Sequence, residues 1–356
     1  MLQPLLTAIA AAVLSLPSPS GGAAAKASTS PSSTAKLLGQ RIMVGFPGTT
    51  APPALLSSVR AGQVGAVILF GANIVSDRQV RALTSSLQGA AHAGGNPPLL
   101  IATDQEGGQI KRFPGGPPTL SPTQMAASGS PHTAYRQGKM TGAYLKSRGI
   151  NMDLAPVSDV PTFSGAFIWQ QGRAFSFNAG TVAKYALAFA LGLQSAGVAA
   201  TAKHFPGLGS AAVSTDLQRD ELHPSAAQRA AALKPYESMI PRHLDSVMVT
   251  TAGFPAYDPS GTPTALSHKI VYGLLRHRLG FGGVVITDAM NAPTGHDEIT
   301  AGALAAQAGV DMLLYADSAA GELGALESAL SAGRISHAQA VASYGRIVAL
   351  KGKLAG

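Results

Sequence analysis

The chain contains no cysteine. That excludes disulfides, thiolate metal ligands, a cysteine nucleophile and lipid attachment through cysteine. Charge is also scarce: Asp, Glu, Lys and Arg make up 12% of the 356 residues, about half the usual share. Lys and Arg number 26 against 18 Asp and Glu, a formal charge of +8. The excess comes from a shortage of acids and not from basic runs, so there is no stripe suited to a nucleic acid. At most it favours loose contact with an anionic cell envelope. No stretch is apolar for long enough to span a bilayer as a helix. Gly62, Gly65 and Gly71 lack the GxGxxG spacing of a dinucleotide turn, and no GxxxxGK[ST] phosphate loop is present. The nine histidines fall into no HExxH or HxH pair, and there is no GxSxG elbow. No metal or cofactor is therefore expected.

Hydrophobic residues reach 46%, enough for a sizeable core and too many for a disordered chain. Residues 1–25 run MLQPLLTAIAAAVLSLPSPSGGAAA, a short apolar stretch followed by Pro, Ser, Gly and small residues. This order resembles a secretory signal peptide cleaved near Ala25, although no Lys or Arg precedes the apolar part. A flexible Ser/Thr/Pro tether is expected over 26–37. The mature protein is then expected to be exported, with one domain over 38–356.

Eight short apolar runs follow: IMVGF, GAVILF, LLIATD, MDLAPV, GVAATAKHF, DSVMVT, GVVITD and VDMLLY. They are mostly continuous and do not alternate, as in strands buried on both faces. Helical patterns lie between many of them, at 54–58, 77–91, 133–148, 179–196, 225–239 and 268–279. Two more occupy 321–354, separated by Gly333. Strands alternating with helices predict a parallel sheet, and eight of them predict an α/β fold of the (β/α)8 TIM-barrel type. An open doubly wound sheet is the alternative.

In a barrel the C-terminal strand ends form the active face, and there the polar residues collect. The third run ends in TDQEGG, with Asp104 and Glu106, and Arg112 follows. The fifth ends in Lys203-His204 and opens a Gly/Ser/Thr-rich loop, and the seventh ends in Asp288. Structural alternatives stand beside each: a capped turn at Asp104, a satisfied core histidine at His204, a helix cap at Asp288. Lys203 argues against the second, since an unpaired buried ammonium is costly. Asp153 and Asp159 flank the fourth strand, Arg173 is a candidate clamp, and Asp311, at the N-terminal end of the eighth strand, is expected to serve stability. Carboxylates at barrel strand ends suit glycoside hydrolysis.

The strings GAVILFGANI (65–74), IATDQEGGQIKRF (101–113), GINMDLAPVSDV (149–160), GRAFS (172–176), KHFPGLG (203–209), TALSHKIVYGLLRHRLGFGGVVITDAM (264–290) and RIVALKGKL (346–354) together resemble glycoside hydrolase family 3. The resemblance is to its single-barrel bacterial β-N-acetylhexosaminidase branch. It implies that Asp288 is the nucleophile of a retaining reaction through a covalent glycosyl-enzyme, and that Asp104, Arg112, Arg173, Lys203 and His204 bind the sugar. The implied substrate is terminal β-linked N-acetylglucosamine from cell-wall or chitin-like oligosaccharides.

One departure concerns the general acid. In this branch it is a histidine held by an aspartate, on the loop after KHFPGxG. Here Ser214, Thr215 and Asp216 occupy the family's Asp-Ser-His positions. Either Asp216 is itself the acid, or His223 swings in with Glu221 or Asp220 as its orienter, or the acid is lost. The last case would leave a saccharide-binding protein, or an enzyme limited to activated glycosides. A glycosidase with another acceptor or sugar is a further alternative.

Overall fold

Eight parallel strands close into a barrel: β1 (Ile42–Val44), β2 (Ala66–Leu69), β3 (Leu100–Thr103), β4 (Met152–Asp153), β5 (Ala199–Phe205), β6 (Ser246–Val249), β7 (Val284–Thr287) and β8 (Leu313–Tyr315). They pair in chain order, and β1 pairs β8 in register Ile42↔Leu313. Between β7 and β8 the ring closes through a single bridge, Ile286↔Met312. The computed structural model describes residues 33–315 and 321–355. The expected signal peptide lies outside them, as does most of the expected tether. The remainder of the tether overlaps a helix, Thr34–Gly39, whose first turn is capped by the Ser33 hydroxyl and whose Leu37 is buried.

Each strand falls inside one of the eight apolar runs, and the packing explains why those runs do not alternate. Met43, Ala66, Ile68, Leu100, Ala102, Met152, Met248 and Ile286 fill the barrel interior. Their neighbours Ile42, Val44, Val67, Ile101, Val247 and Val285 pack outward beneath the helices. Both faces are dry, so both must be apolar.

Two elements depart from the pattern. A hairpin of Gln105–Gly107 and Ile110–Lys111 follows β3 where only a polar turn was expected. A helix at Glu298–Ala308 was not foreseen. Its sequence, EITAGALAAQA, sets alanine on nearly every side, so it shows little of the face-to-face contrast that marks a surface helix.

The C-terminal helix His337–Ala355 seals the floor. Ile347 and Leu350 join the interior cluster. Lys351 is buried there and donates to Gln40 Oε1 at 2.6 Å and to the Gly65 carbonyl at 2.7 Å. Burial, with no anion in reach, pushes its ammonium down to about 7. Asp311, expected to be structural, lies fully buried at this end between Arg276 and Arg346 and accepts from Val285 N at 2.9 Å. Asp311→Ala would strand two guanidinium groups and should cost about 3–5 kcal/mol in denaturant unfolding.

Candidate active site

A pocket of about 350 Å³ opens at the C-terminal end of the barrel. Every strand from β2 to β8 sends a side chain into it from its end or the residues just beyond: Phe70, Asp104, Leu154, Lys203, Met248, Asp288 and Leu314 are examples.

The hairpin after β3 shapes one wall. Gly107 (φ +101°) and Gly108 (φ +60°) take the left-handed conformations of its turn. The Gln105 side chain ties the hairpin down, donating to the carbonyls of Phe113 at 3.0 Å and Pro117 at 2.8 Å and accepting from Phe113 N at 3.0 Å. On either side of it Asp104 and Glu106 converge on Lys203, whose Nζ lies 2.7 Å from a carboxylate oxygen of each. Arg112 adds a 3.1 Å contact to Asp104. Arg173 grips Glu106 with two hydrogen bonds of 2.8 Å. Burial works against ionised carboxylates here, but the cations outweigh it. Lys203 and Arg112 hold Asp104 well below the usual range, and Arg173 and Lys203 hold Glu106 at about 2. Burial likewise opposes the Lys203 ammonium, and the two carboxylates more than compensate, so its pKa is raised.

His204 is held from behind. Its Nδ1 lies 2.8 Å from Asp159 Oδ2, while Asp159 Oδ1 accepts from Leu208 N at 2.7 Å and His204 N at 3.3 Å. Its Nε2 lies 3.4 Å from Arg173 Nη2.

Asp288 ends β7 half-buried and lines the pocket. Its backbone N–H donates to Val249 O at 2.8 Å, and its Oδ1 accepts from Ala289 N at 2.9 Å. Among the described residues no salt bridge reaches it. Burial raises its pKa and the charge of Asp216 adds to that, while His204 and Lys203 pull the other way. Lys203 thus acts on Asp288 only through space, its contacts being taken by Asp104 and Glu106.

Asp216 lies on the loop between β5 and the helix Ala226–Met239 and also lines the pocket. The base of this loop is pinned: Thr162 N and Phe167 N donate to the carbonyls of Gly209 and Ala211 at 2.9 and 3.0 Å. A Cβ on Gly209 would sit 1.8 Å from the Val160 carbonyl, so only glycine allows this approach. Further along, Ser214 Oγ donates to Asp216 Oδ2 at 3.1 Å and accepts from Asp216 N at 3.3 Å.

His223 does not enter. It is exposed and outside the pocket lining. Its segment is held away by backbone bonds of 2.9 Å from Leu222 N to Gly253 O and from Gly253 N to Asp220 O. Glu221 pairs with Arg219 at 3.5 Å and does not orient His223. The structure therefore brings Asp104, Arg112, Arg173, Lys203, His204, Asp216 and Asp288 together and leaves His223 out. Two residues missing from the expected set, Glu106 and Asp159, prove to be the anchors of Arg173 and His204. The signal for Glu106 was its place in TDQEGG. Among the described residues no three His, Asp or Glu side chains are grouped as metal ligands.

Comparison with known proteins gives concordant matches. Residues 38–350 match the glycosyl hydrolase family 3 N-terminal domain. An uncharacterized secreted glycosyl hydrolase of Arthroderma benhamiae is 37% identical over 89% of this chain and 92% of its own. A beta-hexosaminidase of Nitrosomonas eutropha is 34% identical over 83% and 88%. Among solved structures, a family 3 beta-N-acetylglucosaminidase from a Paenibacillus species superimposes with a TM-score of 0.85 at 33% identity, covering 90% of this chain and 62% of that one. A beta-N-acetylhexosaminidase from Beutenbergia cavernae gives 0.82 at 32%, covering 90% and 98%.

Proposed function

The chain belongs to glycosyl hydrolase family 3 and is a glycoside hydrolase, and from that premise we propose that it is a retaining exo-β-N-acetylglucosaminidase with Asp288 as nucleophile and Asp216 as acid and base. The observation that carries this reading is the division of labour among the pocket carboxylates. Asp104 and Glu106 are locked by Lys203, Arg112 and Arg173. Asp288 and Asp216 line the same pocket and, among the described residues, neither is in a salt bridge. Glycoside hydrolysis with retention needs one carboxylate to attack and a second group to pass a proton, and a carboxyl group can serve as the second.

In this mechanism an Asp288 oxygen attacks the anomeric carbon. The glycosidic C–O bond breaks as Asp216 gives its proton to the leaving oxygen. Water then attacks the same carbon, hands a proton back to Asp216 and releases Asp288, with the β configuration kept. Asp104, Arg112, Arg173, Lys203 and His204 bind the terminal N-acetylglucosamine of cell-wall or chitin-like oligosaccharides. The resemblance of residues 1–25 to a signal peptide and the description of the Arthroderma relative as secreted support action outside the cytoplasm.

Steady-state hydrolysis of an aryl N-acetyl-β-glucosaminide and of a natural disaccharide tests the assignment. Asp216→Ala should lower kcat/KM for the disaccharide by about 10²–10³-fold, and far less for the aryl glycoside, whose leaving group needs no proton. His223→Ala should behave as wild type. Equal losses of Asp216→Ala on both substrates would remove Asp216 from the proton path. A folded wild type that binds the sugar but hydrolyses neither substrate would turn the reading to a saccharide-binding protein.

A further inference from the structure

We propose that Asp153 is a positioning residue of this pocket: its carboxyl, kept uncharged, sets the Asp104–Gln105–Glu106 segment around Lys203 from outside the cavity. The proposal deepens the hydrolase reading and rests on it for the catalytic part of its test.

Asp153 ends β4 and is fully buried, yet it is absent from the pocket lining. Met152 and Leu154 on either side of it point into the barrel interior, so Asp153 faces the other way, across the top of β3. There its Oδ1 accepts from Gln105 N at 2.9 Å. Gln105 is the residue between the two carboxylates that hold Lys203, so this bond fixes the peptide from which both side chains spring. Its Oδ2 has no hydrogen-bond partner among the described residues. The charged groups facing Asp153 are Lys203 from β5 and Asp104 and Glu106 from the segment after β3.

An ionised Asp153 would be a third buried carboxylate beside Lys203, whose Nζ already lies 2.7 Å from each of the other two, and neither Arg112 nor Arg173 bonds to it. No donor waits at Oδ2 to repay the loss of water. The acid form needs neither. It keeps a carbonyl oxygen for Gln105 N and brings no further charge into the buried cluster. Burial accordingly pushes Asp153 up to about 8, with the neighbouring carboxylates adding to the effect of burial against Lys203 and the Gln105 hydrogen bond. If the group ionised, it would draw Lys203 away from Asp104 and so disturb the sugar-binding wall while leaving Asp288 untouched. The signature would lie in binding more than in chemistry.

Asp153→Asn copies the neutral acid in shape and keeps the acceptor for Gln105 N. Asp153→Leu fills the space but removes the acceptor. The experiment measures calorimetric binding of N-acetylglucosamine, kcat and KM on the aryl glycoside, and melting temperature, each across about pH 4 to 9. The Asn variant should stay within about threefold of wild type below pH 7, while the Leu variant should lose about tenfold or more, mainly in KM and in sugar affinity. Wild-type affinity should fall as pH rises through about 8, and the Asn variant should not show that fall. The sign in stability is the same. Native Asp153 keeps a proton that the unfolded chain releases above about pH 4, so wild type should lose stability relative to Asn between about pH 4 and 8. An Asn variant as impaired as Leu would show that the charge is required and overturn the proposal, as would an alkaline fall in affinity unchanged in Asn. Absence of hydrolysis in wild type would count against the hydrolase reading alone, because sugar binding and melting still judge Asp153.

Discussion

Asp288→Ala will leave a folded protein that has lost turnover of aryl N-acetyl-β-glucosaminides by roughly 10⁴-fold or more, about 5 kcal/mol of transition-state stabilisation. Folding should survive because the side chain is only half-buried and makes one hydrogen bond, from Ala289 N. Losing that bond costs about 1 kcal/mol. Because an activated aryl leaving group needs no proton from the enzyme, the loss must come from the missing nucleophile. Azide, small enough to occupy the place of the carboxylate, should restore part of the turnover and give the α-glycosyl azide, the product of direct displacement at a β-glycoside. Turnover within about tenfold of wild type would exclude a covalent role for Asp288.

Lys203→Met should cost about 3–5 kcal/mol of stability. The ammonium is 97% buried and is the shared partner of two buried carboxylates. Methionine fills the space but leaves Asp104 with Arg112 alone and Glu106 with Arg173 alone. The pH dependence separates this cause from simple misfit. In wild type both carboxylates are held below their unfolded values, so their stabilising contribution is complete above about pH 4.5 and is lost as pH falls through about 2. Without Lys203 their pKa values rise, and protonation then relieves the strain. The gap between variant and wild type should therefore narrow from pH 7 to pH 3 in urea unfolding. A gap that stays constant would point to packing and not to charge.

The parts of this architecture that were legible in the sequence are those fixed by one-dimensional chemistry. A strand dry on both faces must be a continuous apolar run, so all eight could be read directly, and the polar residues that ended the third, fifth and seventh runs marked the C-terminal face. Asp104, Lys203 and Asp288 stood out for that reason. The hairpin after β3 did not, because QEG and IK are too short to show a period, and what holds them is the Gln105 side chain reaching Phe113 and Pro117. Glu106 and Asp159 were visible as acids but not as anchors, since their partners Arg173 and His204 lie 67 and 45 residues away. The loop after β5 could be aligned but not folded by eye: Asp216 and His223 are seven residues apart, and only the backbone bonds to Gly253 decide which one meets the pocket.

The floor of the barrel has a consequence for how the chain is made. β1 pairs with β8, which is synthesised long after it, and Lys351 reaches back 311 residues to Gln40 and 286 to Gly65. A growing chain that stops short of β8 therefore has β1 exposed along one edge, and one that stops short of residue 351 leaves the interior open from below. Contacts of such long sequence separation form late, because the loop they close is entropically costly. Synthesis runs from one end to the other, but this ring has no finished part until both ends meet. The barrel stays open until β8 is in place, and the catalytic face, built from the ends of seven strands, cannot be complete before it.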